Sequence, residues 1–116
     1  MTDKWDDKLF SRWISLRGKF RSAKREKDYC AIISTCNEIL ELNERARFIG
    51  IMKALFEYEI AEAHKKLDDT KLAIKYYKLA VKSFEVYRSE KPLNKPDDFL
   101  SDIQKIQKKL TKLAAE

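Results

Sequence analysis

The stretch that decides the fold runs from residue 60 to residue 87 and reads IAEAHKKLDDTKLAIKYYKLAVKSFEVY. Its second half repeats apolar residues at alternating spacings of four and three, which marks one face of an α-helix. These residues are Ala73, Tyr77, Ala80, Phe84 and Tyr87. A polar break at residues 68–70 separates them from an apolar stretch that has a helical pattern of its own. The stretch therefore predicts two helices paired as a hairpin.

The composition favours helix throughout the chain. Among 116 residues there are two glycines and two prolines, too few for the many turns of a β-sandwich or barrel. Hydrophobic residues make up 44%, and their regular spacing argues against disorder although 38% of residues are charged. A chain of this length is expected to fold around one core, so we predict a single all-α domain over residues 1–116.

Apolar periodicity divides the whole chain into helices. We predict five, approximately over residues 6–24, 28–42, 44–67, 70–89 and 96–115. Asp28 is expected to cap the second helix. The fifth is expected to begin at Pro96, with Asp97 and Asp98 in its first turn, because these residue types are helix start signals. Gly50 falls inside the third predicted helix, where it either admits a close neighbour or kinks the helix.

Small and aromatic residues stand at regular positions along the predicted hairpin. Its first helix has Ile60, Ala61 and His64, and its second has Ala73, Tyr77 and Ala80. This pattern resembles the tetratricopeptide repeat (TPR), in which small side chains let paired helices approach and an aromatic side chain fills the space beside them. Residues 28–42 and 69–84 look like two copies of one element, and their first residues, Asp28 and Asp69, are 41 positions apart.

The resemblance implies a right-handed superhelix of antiparallel helical hairpins. Residues 6–42 and 44–89 would be two lengthened TPR-like hairpins, and residues 96–115 a C-terminal capping helix. Glu57 stands where the repeat usually has Trp, and Asp68 where it has the turn Gly. The same apolar stripes also suit a three- or four-helix bundle or a domain of the microtubule-interacting-and-trafficking type, so these architectures remain alternatives.

No group of residues has the pattern of an active site. His64 is the only histidine, and no glycine-rich phosphate loop, HExxH, GxSxG or CxxC motif occurs. We interpret His64 as a packing residue and expect no enzymatic activity, metal or cofactor. Cys30 and Cys36 lie on different faces of one predicted helix and cannot pair, and free thiols suit a reducing cytoplasm. No apolar run is long enough to span a membrane.

The first predicted helix carries most of the positive charge. Residues 1–27 contain nine basic and four acidic residues, whereas the whole chain has a net charge of +6. In TPR-like stacks the first helices of successive hairpins line a concave groove. The resemblance therefore implies a partner-binding surface made of Arg17, Arg21, Lys24, Arg25, Tyr58, Glu62, Lys65 and Lys66. Because guanidinium groups match carboxylates, we expect a non-catalytic adaptor that binds an acidic or amphipathic segment of another protein.

Two other functions are compatible with the sequence. The basic first helix and a ridge of lysines on the fourth predict, as an alternative, an accessory protein that binds nucleic acid. The ridge consists of Lys71, Lys75, Lys78 and Lys82, and Tyr76 beside it is expected at the surface because it lies off the apolar stripe. If instead the narrow apolar stripes form the interface between two copies of the chain, the protein is a structural homodimer.

Overall fold

The computed structural model describes residues 4–90, 95 and 98–115, and the secondary structure of this part of the chain is helical. Five α-helices follow one another along the chain, so the predicted all-α class and number of helices are confirmed. They are α1 (Asp7–Glu26), α2 (Tyr29–Arg45), α3 (Lys53–Lys66), α4 (Thr70–Glu90) and α5 (Leu100–Ala115). None of them is both long enough and apolar enough to cross a membrane.

Acidic side chains cap the helices where the sequence changes from one apolar stripe to the next. Asp28 accepts a hydrogen bond from the backbone N–H of Ala31 at 3.1 Å, so the predicted cap of α2 is confirmed. Asp69 accepts in the same way from the N–H of Leu72 at 3.3 Å at the start of α4. These caps satisfy donors that have no partner inside the helix, and they hold the connections between helices short.

The prediction of a third helix over residues 44–67 is wrong in its first part. Helix α2 continues to Arg45, a 3₁₀ turn occupies Arg47–Ile49, and α3 begins only at Lys53. Gly50 ends the 3₁₀ turn with φ of 70°, and no atom lies within 4 Å of where its Cβ would be. It therefore neither admits a close neighbour nor kinks a helix, but supplies the left-handed conformation that a turn requires here.

The fifth helix starts later than predicted. Asp98 lies in a turn, Phe99 has a positive φ of 66°, and the helix begins at Leu100. Pro96 and Asp97, which were expected to open it, lie outside the described residues. The ring of Phe99 packs on Phe84 of α4, with ring centroids 5.8 Å apart, so tertiary contact holds this residue in a conformation that its sequence does not favour.

The helices form two rows. Each helix packs extensively on its neighbours in the sequence, and α1 makes no such contact with α4 or α5 in the described part of the chain. Aromatic side chains of α1 pack on α3, and lysines of α5 lie over an aromatic ring of α3, so α1, α3 and α5 lie side by side. Helices α2 and α4 form the second row. The shortest extent of the fold, 22 Å, is about two helix diameters, as two rows require.

Small residues bring α3 and α4 into close contact. Ala54 and Ala61 of α3 and Ala73 and Ala80 of α4 are all fully buried. Tyr77 fills the space beside them and is also fully buried. The predicted helical hairpin, with Tyr77 in its core, is therefore confirmed. Burying a residue of this size contributes roughly 2 kcal/mol or more of hydrophobic stabilisation.

The two glycines are expected to respond to alanine in opposite ways. Gly18 lies within α1 with open space around it, so Gly18→Ala should raise the free energy of unfolding by about 0.5–1 kcal/mol through helix propensity. Gly50→Ala should lower it by about 1 kcal/mol, because alanine is strained at positive φ. Urea denaturation of both variants measures the difference. Equal effects of the two substitutions would contradict the assigned backbone conformations.

Candidate functional site

An ion pair and an aromatic contact join α1 to α3. Nζ of Lys24 donates a hydrogen bond to a carboxylate oxygen of Glu59 at 2.6 Å. The rings of Trp13 of α1 and Phe56 of α3 also meet, edge to face, with centroids 5.9 Å apart. The contact buries Phe56 partly and leaves the outer faces of both helices open to solvent. Lys24 is therefore placed beside α3 as predicted, but with its charge already matched.

A second set of contacts joins α3 to α5. Nζ of Lys105 and of Lys109 lie 5.6 Å and 5.8 Å from the ring centroid of Tyr58, which is the geometry of cation–π contacts. Nζ of Lys109 also lies 3.3 Å from the carboxylate of Glu62. Tyr58 is thus half-buried between two helices instead of standing free on the surface. Helix α5 extends the row of α1 and α3, a role that its prediction as a cap did not include.

Glu62, which the sequence predicted as a partner-binding residue, is engaged in contacts within the fold. Its carboxylate accepts a hydrogen bond from the hydroxyl of the buried Tyr77 and pairs with Lys109. Burial alone would raise the pKa of Glu62, but the hydrogen bond from Tyr77 and the charge of Lys109 outweigh it and hold this pKa below its usual value. Removing the carboxylate from these partners would leave the buried hydroxyl of Tyr77 unpaired, so these contacts stabilise the fold.

Glu57, one turn earlier on α3, has the opposite environment. It is 3% exposed and accepts a hydrogen bond from the hydroxyl of Ser83 at 2.5 Å. Burial raises the pKa of Glu57 above its usual value, and the hydrogen bond from Ser83 and the charge of Lys53 offset only part of that effect. Two carboxyl groups of one helix therefore have pKa values displaced in opposite directions. Glu57 bonds to Ser83 of α4, whereas Glu62 contacts both Tyr77 of α4 and Lys109 of α5.

The remaining predicted residues leave a basic surface on α1 and α3. Arg17 lies over the ring of Trp13, with its guanidinium carbon 5.5 Å from the centroid, and Arg21 is exposed one turn further along α1. Lys65 and Lys66 are exposed at the end of α3. None of these four side chains has an ion-pair partner among the described residues. They are the cations that remain available to an acidic ligand.

Arg25 is brought to a different place from the others. It lies two residues after the buried Ala23 and so points almost directly away from the core of α1. Its guanidinium contacts the hydroxyl of Ser22 at 3.4 Å. Arg25 is therefore exposed at the edge of the surface and does not face α3.

Sequence reasoning missed three contributors to this surface. Lys105 of α5 has no ion-pair partner among the described residues and lies against Tyr58. Leu55 of α3 is 44% exposed on the same side of the helix as Glu59 and Glu62, four and seven residues later. Trp13, assigned to the core stripe, is half-buried and carries Arg17 on its ring. The position of Lys105 could have been predicted, because it lies three residues after Asp102 on the polar face of the fifth predicted helix.

The side chains that were considered for other chemistry lie elsewhere. His64 stacks on Tyr76 with ring centroids 5.8 Å apart, which fits its interpretation as a packing residue. Tyr76 itself packs against the core and is only partly exposed, so its placement as a surface aromatic is wrong. Cys30 is exposed and Cys36 is buried, on different faces as predicted. Burial raises the pKa of the Cys36 thiol to about 12, which disfavours its thiolate form.

The two α3 carboxyl groups are expected to give opposite pH dependence. The pKa of Glu62 is lowered in the folded chain. Glu62 therefore stabilises the fold above pH 4.5, its ordinary pKa, and this stabilisation is lost as the pH falls through its pKa in the folded chain. The folded pKa of Glu57 is raised. Its contribution to the free energy of unfolding is therefore most favourable below pH 4.5, and it is lost as the pH rises through the pKa of Glu57 in the folded chain.

At neutral pH, Glu62→Gln should therefore lower the free energy of unfolding by about 1 kcal/mol, after allowance for its partial exposure. Glu57→Gln should raise this free energy or leave it unchanged, because the amide keeps the hydrogen bond without the buried charge. Urea denaturation at neutral pH and near pH 4 measures both. The difference in unfolding free energy between each variant and the unsubstituted chain should be smaller at the lower pH. A difference of the same size at both pH values would contradict the environments assigned to Glu57 and Glu62.

Comparison with known protein families, with curated proteins and with solved structures found no match to this chain. The arrangement of its own side chains is therefore the basis for assigning a function. The feature that stands out is the outer face of the α1, α3 and α5 row, which is basic, partly apolar and crossed by two ion pairs.

Proposed function

We propose that the chain is a non-catalytic adaptor that binds an acidic or amphipathic segment of another protein across the outer face of α1 and α3, with α5 at its edge. The observation that supports this most strongly is the state of the charges on that face. Both of its α3 carboxylates, Glu59 and Glu62, are already paired with lysines, whereas Arg17 and Arg21 have no acidic partner among the described residues. A ligand carboxylate therefore meets uncompensated guanidinium groups.

The apolar groups on the same face support an amphipathic ligand. Leu55 is 44% exposed, and the ring of Trp13 is partly exposed beside Arg17. An acidic segment with apolar residues at helical spacing would bury Leu55 while its carboxylates pair with the arginines. Arginine suits this role because its planar group forms two parallel hydrogen bonds with a carboxylate while stacking on an aromatic ring.

The resemblance to the tetratricopeptide repeat remains part of this proposal. In such repeats the first helices of successive hairpins line the binding groove, and α1, α3 and α5 would occupy those positions here. The two rows of helices and the alanines at the α3–α4 contact are compatible with that arrangement. A cytoplasmic location and a homodimer both stay predictions.

Reversing the charge on α1 is expected to abolish partner capture. The double variant Arg17→Glu with Arg21→Glu should weaken capture by more than about tenfold, because it replaces two attractive contacts with repulsion. The matched control is Lys71→Glu with Lys78→Glu on α4, which makes the same change of charge on the other row. Capture is measured with the immobilised chain in a lysate of its host, and the bound segment is then titrated by fluorescence anisotropy.

Both double variants should keep the circular dichroism spectrum of the original chain, because all four side chains lie on the solvent side of their helices. If the α1 variant captures and binds the same segment with unchanged affinity, the proposed surface is wrong. A loss that is equal in the two variants would indicate a response to net charge instead of a located site.

Nucleic-acid binding is the second candidate, and one observation favours it. Lys71, Lys78 and Lys82 of α4 are exposed and have no acidic partner within the described residues. They lie in the other row from the basic face of α1, so the two basic regions do not form one continuous surface. The same variants decide between the candidates. A nucleic-acid function predicts binding of single- or double-stranded probes at low salt, lost in the α4 variant.

A further inference from the structure

A cleft lies between the α2–α3 connection and the C-terminal half of α4, and no residue of α1 or α5 lines it. Its volume is about 410 Å³, within the range of sites that hold small ligands or short peptide ends. Gly50 forms part of its wall, and the absence of any atom near the position of a Cβ shows that the cleft is open there. The cleft is therefore separate from the surface proposed above.

Two buried polar side chains face this cleft with hydrogen-bonding capacity to spare. Asn43 is 7% exposed and lines the cleft, yet its side-chain amide makes no hydrogen bond to any residue that the structure describes. Glu57 is 3% exposed, and the hydroxyl of Ser83 engages one of its carboxyl oxygens. Fully enclosed side-chain polar atoms without partners are absent from the described residues, so the unpaired atoms of Asn43 open into the cleft.

The cleft combines these groups with cations and an aliphatic wall. Lys53 and Lys82 line it and have no ion-pair partner among the described residues, whereas Arg47, also in the lining, is paired with Glu44 at 2.8 Å. The aliphatic wall consists of Ile51, Leu79 and Val86. Leu79 and Val86 are 37% and 39% exposed, so their side chains are accessible to a ligand in the cleft.

The acidic side chains of the cleft do not cancel its affinity for an anion. Glu90 is exposed at one end, where water screens its charge. The charge of Lys53 acts on the carboxyl group of Glu57 and offsets part of its repulsion of an incoming carboxylate. Lys53 is the first residue of α3, so the positive end of that helix lies at the same wall.

We infer that this cleft binds the free carboxyl end of a peptide whose last residue is aliphatic. Lys53 and Lys82 pair with the terminal carboxylate. The amide of Asn43 and the free oxygen of Glu57 hydrogen-bond to the last peptide groups, which offer both N–H donors and C=O acceptors. Leu79, with the rest of the aliphatic wall, covers the terminal side chain.

A nucleotide would suit the cations and the amide, but not the walls of the cleft. Tyr87 is the one aromatic residue among the described residues of the lining, and its ring packs on Phe84 and Phe99 with centroids 6.1 Å and 5.7 Å away. Its hydroxyl accepts a hydrogen bond from the backbone N–H of Ala54 at 3.2 Å. The ring is thus held within the core and offers no platform on which a base could stack. Aliphatic side chains fit a peptide end better.

The test uses two peptides that differ in a single group. Acetyl-alanyl-alanyl-leucine with a free carboxylate is titrated into the ¹⁵N-labelled full chain, to about 10 mM if needed for a weak site. Acetyl-alanyl-alanyl-leucine amide and adenosine monophosphate are titrated separately. The free acid should shift the side-chain amide signal of Asn43 and the backbone signals of Gly50 and Ser83. The amide-capped peptide should bind at least about tenfold more weakly, because it lacks the charge that the lysines attract.

Substitutions locate the site. Lys82→Ala should weaken binding of the free acid about three- to tenfold, and Asn43→Ala by a similar factor, whereas Lys78→Ala, one turn away on α4 and outside the cleft, should leave it unchanged. Because Asn43 is buried, its variant counts only if its spectrum shows the native fold, and the exposed Lys82 provides the test that does not depend on folding. The inference is overturned by an absence of shifts in the cleft, by equal binding of both peptides, or by binding of the nucleotide alone.

Discussion

The hydroxyl of Tyr77 has no access to water, and much of the structure depends on how that constraint is met. The ring lies fully buried where the alanines of α3 and α4 bring the two helices together. A buried hydroxyl without a partner would cost about 1–3 kcal/mol, and Glu62 removes that cost by accepting its hydrogen bond. Burial and the neighbouring carboxylate both raise the pKa of Tyr77, so the hydroxyl remains a donor at all physiological pH values.

The same contact determines the charge on the outer face of α3. Lys109 of α5 completes the partners of Glu62, so one carboxylate ties α3 to both α4 and α5. With Glu59 held by Lys24, neither acid opposes a ligand carboxylate on this face. The arginines of α1 then determine the charge that an approaching segment meets. The contact that stabilises the fold thus also neutralises the charge of Glu62 on the face for which binding is proposed.

The parts of the fold that depend on local periodicity could be predicted from the sequence. The stripe through Ala73, Tyr77, Ala80 and Phe84 gave both the helix and its buried face, and Asp28 gave the start of α2, because these signals involve residues within a few positions of each other. The turn at residues 47–52 was missed because its apolar residues continue a helical spacing while tertiary contacts hold them in the core. Periodicity does not distinguish these two causes of burial.

The candidate site could be predicted only in part, for a related reason. Arg17 and Arg21 follow from charge and helical spacing, since Arg17 is partly exposed and Arg21 is exposed on one helix. The link from Glu62 to Tyr77 and Lys109 joins residues 15 and 47 positions apart, and no local pattern indicates it. Asn43 likewise could not be predicted as a cleft residue, because its burial without a hydrogen-bond partner depends on how α2, α3 and α4 pack together.

A double-mutant cycle on Tyr77→Phe and Glu62→Ala tests most directly whether this contact holds the two rows together. The unfolding free energies of the chain, both single variants and the double variant are measured in urea at neutral pH. A coupling energy of about 1 kcal/mol or more is predicted, because the phenolic hydroxyl and the carboxylate stabilise each other in a largely desolvated site. Additive effects, within about 0.3–0.5 kcal/mol, would contradict the account.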